Sequence, residues 1–217
     1  MKSDKDLRKD VLAELEYEPS IDARDIGVIV KDGIVTLTGA VKSYFEKWKA
    51  ERAAERVVGV RAVANEVEVR LPGEAKRTDA DIAAAAVNAL RWNTLVPFDK
   101  IKVTVDNGWV TLKGEANYKY QKEAAEHAVR NLTGVVGVSN LIEIKPSVSS
   151  TEVKRKIEEA LERMAQVDAQ KIQVETTDGK VILKGSVRSW AEREEAEKAA
   201  WRAPGVAHVE DQIRIAI

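Results

Sequence analysis

The sequence predicts an α+β protein of three tandem α-β-β-α-β units, each a three-stranded mixed sheet with two helices on one face. Three observations carry that reading. DGIVTLTG, Asp32 to Gly39, returns as NGWVTLKG from Asn107 to Gly114 and as DGKVILKG from Asp178 to Gly185. Nine of the 12 glycines share one register: Gly33, Gly108 and Gly179; Gly39, Gly114 and Gly185; Gly59, Gly134 and Gly205. Apolar positions keep the same offsets of 75 and then 71 residues, as in Leu7, Ile82 and Val153 or Leu15, Leu90 and Leu161. Self-similarity at a fixed period is the signature of repeat architecture.

Each unit opens on a helix. Ser3 with Asp6, Thr78 with Asp81 and Ser149 with Glu152 have capping-box spacing. Leu7, Val11, Leu12 and Leu15 then follow one helical face. Two short alternating strands come next, Ile26–Lys31 and Ile34–Thr38 in the first unit. Asp-Gly or Asn-Gly between them marks a two-residue hairpin, whose central residues need positive φ. A second helix near Ser43–Val58 carries Ala50, Ala53, Ala54 and Val57 on one face, small enough to lie close to a sheet. Gly59, Gly134 and Gly205 can end these helices in a left-handed cap. The closing strands are Val63–Leu71, Val138–Ile144 and Val209–Ile217.

Val35 and Leu37 alternate with Thr36 and Thr38. One sheet face is therefore expected to take both helices and the other to be polar and wet. The hairpin makes the first strand pair antiparallel, and the crossover through the second helix makes the last pair parallel. The units span residues 1–71, 76–145 and 148–217, with boundaries near Pro72 and Pro146. Each is small enough to be marginal alone.

Composition narrows function. Lys plus Arg total 35 and Asp plus Glu 36. That balance argues against a nucleic-acid partner, which favours a basic excess. There are no cysteines, so no thiolate or disulfide chemistry. The N-terminus shows no secretory h-region and no run reaches membrane-spanning length. The expected location is the cytoplasm, with peripheral attachment to the inner membrane as a variant. His127 and His208 occupy non-equivalent positions. No metal spacing, nucleophile elbow or P-loop occurs, so neither catalysis nor a cofactor is expected.

Aromatic residues gather where the second helices begin: Tyr44, Phe45 and Trp48, then Tyr118 and Tyr120, then Trp190. A staple over the helix start or an inter-unit contact explains them without function. With Lys42, Lys47 and Lys49 nearby, they are also candidates for contact with lipid or a protein partner. Trp109 falls on the expected wet sheet face and is a further candidate.

The pattern V-x-V-x-x-G-x-V-x-L-x-G-x-V, from Val28 to Val41, followed by Gly59-Val60-Arg61-Ala62-Val63-Ala64-Asn65, resembles the BON domain. All three units carry it; Ala116 replaces Val41 in the second, and Thr176 and Asp211 replace Val30 and Asn65 in the third. The resemblance implies a non-catalytic module of the osmotically inducible, transport-associated type. It implies contact with membrane phospholipid or a membrane protein. It leaves two alternatives: a cytoplasmic sensor holding K⁺ on backbone carbonyls, or a self-assembling scaffold and hence a homo-oligomer.

The repeated octapeptide itself reads as fold rather than site. Gly33→Val should therefore destabilise more than Lys31→Val, because a β-branched residue at positive φ costs about 1–2 kcal/mol. Thermal melting of the two variants checks this, and equal melting temperatures would contradict the turn assignment.

Overall fold

The computed structural model describes residues 2–145, 148–164 and 169–215. The first repeat begins with helix α1, Asp4–Tyr17, in which the Ser3 hydroxyl accepts the Asp6 N–H at 3.2 Å. Leu7, Val11 and Leu15 recur every fourth residue and are all buried. Strands β1, Ile26–Lys31, and β2, Ile34–Val41, form the antiparallel hairpin. Its turn residues Asp32 and Gly33 have φ of 52° and 76°, as a two-residue primed turn requires. Helix α2, Tyr44–Glu55, returns over the sheet. The closing strand comes in two pieces, β3, Ala62–Asn65, and β4, Glu68–Val69, both parallel to β2. One core unites Val11 and Leu15 of α1, Val28, Val35 and Leu37 of the hairpin and Ala50, Ala53 and Ala54 of α2.

The second repeat contains α3, Asp79–Trp92, β5, Ile101–Asp106, β6, Trp109–Ala116, α4, Lys119–Arg130, and β7, Gly137–Ile144. Its sheet has the order β5-β6-β7. The capping box is complete here: the Asp81 N–H donates to the Thr78 hydroxyl and the Thr78 N–H donates to the Asp81 carboxylate, both at 3.2 Å. The third repeat contains α5, Ser150–Glu162, β8, Ile172–Thr177, β9, Lys180–Val187, α6, Trp190–Trp201, and β10, His208–Ile215. β8 pairs antiparallel and β10 parallel with β9. Its core runs from Val153, Ile157 and Leu161 through Val181 and Leu183 to Ala196, Ala199 and Ala200. The α+β class and the α-β-β-α-β order of each unit thus stand as the sequence predicts.

By backbone proximity the described residues form two compact units, and the line between them crosses the middle repeat. One unit holds the first repeat with α3 up to Ala89, Thr104–Thr111 and Ala128–Ser139; the other holds Leu90–Val103, Leu112–His127 and the chain from Asn140 onward. The expected boundary at Pro146 and the last strand's end at Ile217 lie outside the described residues.

Two expectations need correction. β2 does not stop at Thr38 but continues through Gly39 to Val41. Gly39 therefore lies inside a strand, at φ 106°, and a Cβ there would run into the carbonyl oxygen of Asp25. Gly114 and Gly185 stand in the same relation to the carbonyls of Lys100 and Lys171. The glycine is needed because backbone crosses backbone, not because the strand ends. The open sheet face of the first repeat is also not simply polar. Ile29 and Ile34 are 60% and 48% exposed. Ile34 pairs with Ala62, and Thr36 pairs with Ile29 on one side and Ala64 on the other.

Gly39→Ala should cost about 3 kcal/mol or more, combining strain at positive φ with displacement of a backbone carbonyl. Gly73→Ala, where a Cβ meets nothing within 4 Å, should stay within about 0.5 kcal/mol. Denaturant midpoints of the two variants check the contrast; similar midpoints would contradict it.

Candidate binding surfaces

Each hairpin turn is tied to the first helix of its repeat. The Asp4 carboxylate accepts the N–H groups of Asp32 and Gly33 at 2.9 and 3.2 Å. Asp79 accepts those of Asn107 and Gly108, both at 2.8 Å. Ser150 holds this place in the third repeat and accepts the Asp178 N–H at 3.3 Å. These carboxylates are satisfied by backbone donors, so their role is architectural. The register of Asp4, Asp79 and Ser150 was visible in the sequence, but helix-start acids are so common that spacing alone did not reveal the clamp.

A second tie joins the last strand to the second helix. The Asn65 amide donates to the Lys47 carbonyl at 3.0 Å and to the Glu51 carboxylate at 3.1 Å, and its oxygen accepts the Val67 N–H. Asn140 repeats this with Lys122, Glu126 and Ile142. Asp211 has no amide to donate. Instead Arg193, at the Lys47 position, donates its Nε–H to the Asp211 carboxylate at 2.6 Å, while Ile213 N–H still bonds the other oxygen. Two changes thus compensate each other.

The candidate aromatic residues fall into different situations. Tyr44, Phe45 and Trp48 are half-buried at the start of α2. The buried Arg130 guanidinium lies 3.6 Å from the centre of the Trp48 ring. Lys49 sits 5.7 Å from the Phe45 ring and 3.6 Å from the Glu18 carboxylate; Lys42 lies 3.4 Å from Asp22. Lys47 is half-buried and gives its carbonyl to Asn65. Tyr118 and Tyr120 pack against each other with ring centres 5.5 Å apart. Tyr118 stands where Ser43 and Ser189 cap the equivalent helices, and Gln121 takes over by accepting the Asn117 and Tyr118 N–H groups. Trp190 is 71% exposed, with the Arg193 guanidinium 5.1 Å from its ring. Trp109 is on the open sheet face, as expected. Its indole N–H donates to the Ser139 hydroxyl at 2.9 Å and its ring covers Gly137. Lys42, Tyr44, Phe45 and Trp48 therefore share one region, whereas Trp109 and Trp190 occupy others.

Among the described residues, no group of three or more His, Asp or Glu could hold a metal ion. His127 and His208 are both exposed. A cleft of about 440 Å³ in the first repeat is lined by Asp22, Asp25, Glu46, Lys42 and Arg70 beside the Gly39–Val41 backbone. Arg24, hydrogen-bonded to Asp22, holds the Asp22 carboxyl well below the usual carboxylate range. That charge is already balanced by Arg24 and Lys42. No helix of the described residues is long and apolar enough to cross a membrane.

A thrice-repeated α-β-β-α-β scaffold defines a tandem small-module protein. The chain belongs to the BON domain family, which matches residues 3–70, 78–146 and 149–217. It is 31% identical over 139 residues to Osmotically-inducible protein Y of Escherichia coli (strain K12), covering 62% of this chain and 69% of that protein. Among solved structures it aligns with CdsD, a structural protein of the type III secretion system of Chlamydia trachomatis, at 15% identity and a TM-score of 0.28, covering 97% of this chain and 92% of that one. The PrgH periplasmic domain aligns at 10% identity and a TM-score of 0.25, covering 95% and 100%. At these scores neither structure informs the architecture.

The compensated pair in the third repeat gives a test. Arg193→Ala should lose about 1.5–3 kcal/mol, because it strands a half-buried carboxylate. Asp211→Asn in the Arg193→Ala background should recover most of it, since the amide can then donate to the helix as Asn65 does. A double-mutant cycle measured by urea unfolding checks this, and additive losses would contradict it.

Proposed function

We propose that the chain is a non-catalytic tandem BON protein of the osmotic-stress response that attaches to anionic phospholipid surfaces. The osmotic setting is supported by its similarity to Osmotically-inducible protein Y. The open sheet face of the first repeat carries the membrane part. Ile29 and Ile34 stand exposed there beside Ala62 and Ala64, uncovered by either helix. At one end of that strip lie Lys31 and Arg61, both exposed; Lys31 pairs with Ile34, and the Arg61 stem lies against Gly33. An apolar strip with cations at its edge suits the boundary between headgroups and acyl chains. Trp48 is half-buried beneath Arg130, which makes the sheet face the more available surface.

The affinity per face is modest. Each cation near an anionic leaflet contributes about 1 kcal/mol, so Lys31 and Arg61 together supply roughly thirty-fold. The chain's overall charge of -1 adds no general attraction. Co-sedimentation of the intact protein with anionic vesicles at low salt is expected to exceed that with neutral phosphatidylcholine vesicles. The double substitution Ile29→Glu, Ile34→Glu should abolish the difference while leaving the fold intact. If the intact protein remains in the supernatant with anionic vesicles, the lipid reading fails. Accumulation of the protein after a hyperosmotic shift tests the osmotic part separately.

A further inference from the structure

The start of a second helix meets the end of the next repeat's second helix twice. In one compact unit, the start of α2 faces the end of α4: Trp48 stacks on Arg130, and Lys42, Ser43, Tyr44 and Phe45 line one cleft of about 150 Å³ with residues 130–135. In the other unit, the start of α4 faces the end of α6. The Lys119 ammonium lies 3.8 Å from the centre of the Trp201 ring, and the Gly205 N–H donates to the Asn117 carbonyl at 2.7 Å. These are equivalent positions: 42, 117 and 188 on the helix starts, and 55, 130 and 201 on the helix ends. Arg130 and Trp201 are equivalent on the helix ends, whereas Trp48 and Lys119 sit one helical turn apart on the helix starts, with the aromatic and the cation on opposite sides of the two contacts.

Two such surfaces are left over. The helix start of the third repeat carries Trp190, 71% exposed, and Arg188, whose side chain is also 71% exposed. The helix end of the first repeat carries Val58, 78% exposed, next to an exposed Gly59. Most of their counterparts are covered: Arg130 is 8% exposed, and Gly134, Pro204 and Gly205 are buried, while Thr133 stays exposed. Charge also fits. Lys42 and Arg130 line the same cleft, and their equivalents Arg188 and Glu55 are of opposite sign.

We propose that the Trp190 surface of one chain docks on the Val58 surface of a second copy, repeating between molecules the contact made twice within each. The interface is heterologous, since the two sides are different surfaces, so each added chain presents the same free pair again. Trp190 supplies the apolar anchor, which suits an interface centre, and Arg188 faces Glu55 across its edge.

Sedimentation of the full chain without lipid, from micromolar to millimolar concentration, should show a weight-average mass that grows with concentration. Val58→Glu and Trp190→Glu should each hold the protein at monomer mass. An equimolar mixture of the two variants should form one-to-one dimers and stop there, because each brings one intact surface. Val58→Lys with Trp190→Lys provides a second pair should either glutamate variant fold poorly, as judged by circular dichroism. A wild-type chain that stays monomeric throughout overturns the proposal. So does a Val58→Glu variant that still associates while Trp190→Glu does not, which would mean a symmetric contact, and so does association that survives both substitutions.

Discussion

The close approach of a carbonyl to Gly39, Gly114 and Gly185 is the constraint on which each repeat depends. The short 3-10 turn before the first strand must pass directly over the second strand. Only a residue without a Cβ leaves room for the oxygens of Asp25, Lys100 and Lys171. Because the chain can cross there, β2 and β9 run on for three residues beyond the expected stop. In the first repeat that extension buries Val41, which pairs with Val69; in the third it buries Val187. A bulkier residue would cut the sheet short and remove the floor on which α2 and α6 lie.

Around this fixed crossing, polar ties are conserved in position but not in chemistry. The hairpin turn is held by a carboxylate in two repeats and a hydroxyl in the third. The strand-to-helix tie uses an amide donor twice and a guanidinium–carboxylate pair once. Such exchanges are possible because what the site requires is a satisfied half-buried group, not a particular residue. The outer faces are freer still. At one equivalent position the first repeat exposes Ile34, the second stacks Trp109 on Gly137, and the third pairs Lys180 with Glu210 at 2.6 Å.

Most of the scaffold was legible in the sequence because glycine register, Asp-Gly turns and alternating valines have few structural solutions. Gly33 and Gly59 are at positive φ as expected. The glycine register marks Gly39, but not why it must be glycine, since a steric clash with a residue 14 positions earlier leaves no local trace. The surfaces were harder. Trp48 reads either as an inter-unit contact or as an interfacial residue; its contact is Arg130 of the next repeat, a partner that sequence spacing does not name. Ile34 shares the wet face that the alternation with Val35 and Leu37 marks, but the exposure of Ile29 was hidden for the opposite reason: isoleucine in a strand reads as core unless the face on which it sits is known.

The separate cores have a consequence for cooperativity. The core of the first repeat and the core of the third share no residue, and each is closed by its own caps, turn clamp and crossing glycine. Cores that share no residue are coupled only through edge contacts such as Trp48 with Arg130 and Lys119 with Trp201. In quasi-one-dimensional proteins the sharpness of the transition is set by the coupling between neighbours. The calorimetric enthalpy of this chain should then exceed its van't Hoff enthalpy, and no single melting temperature would describe it.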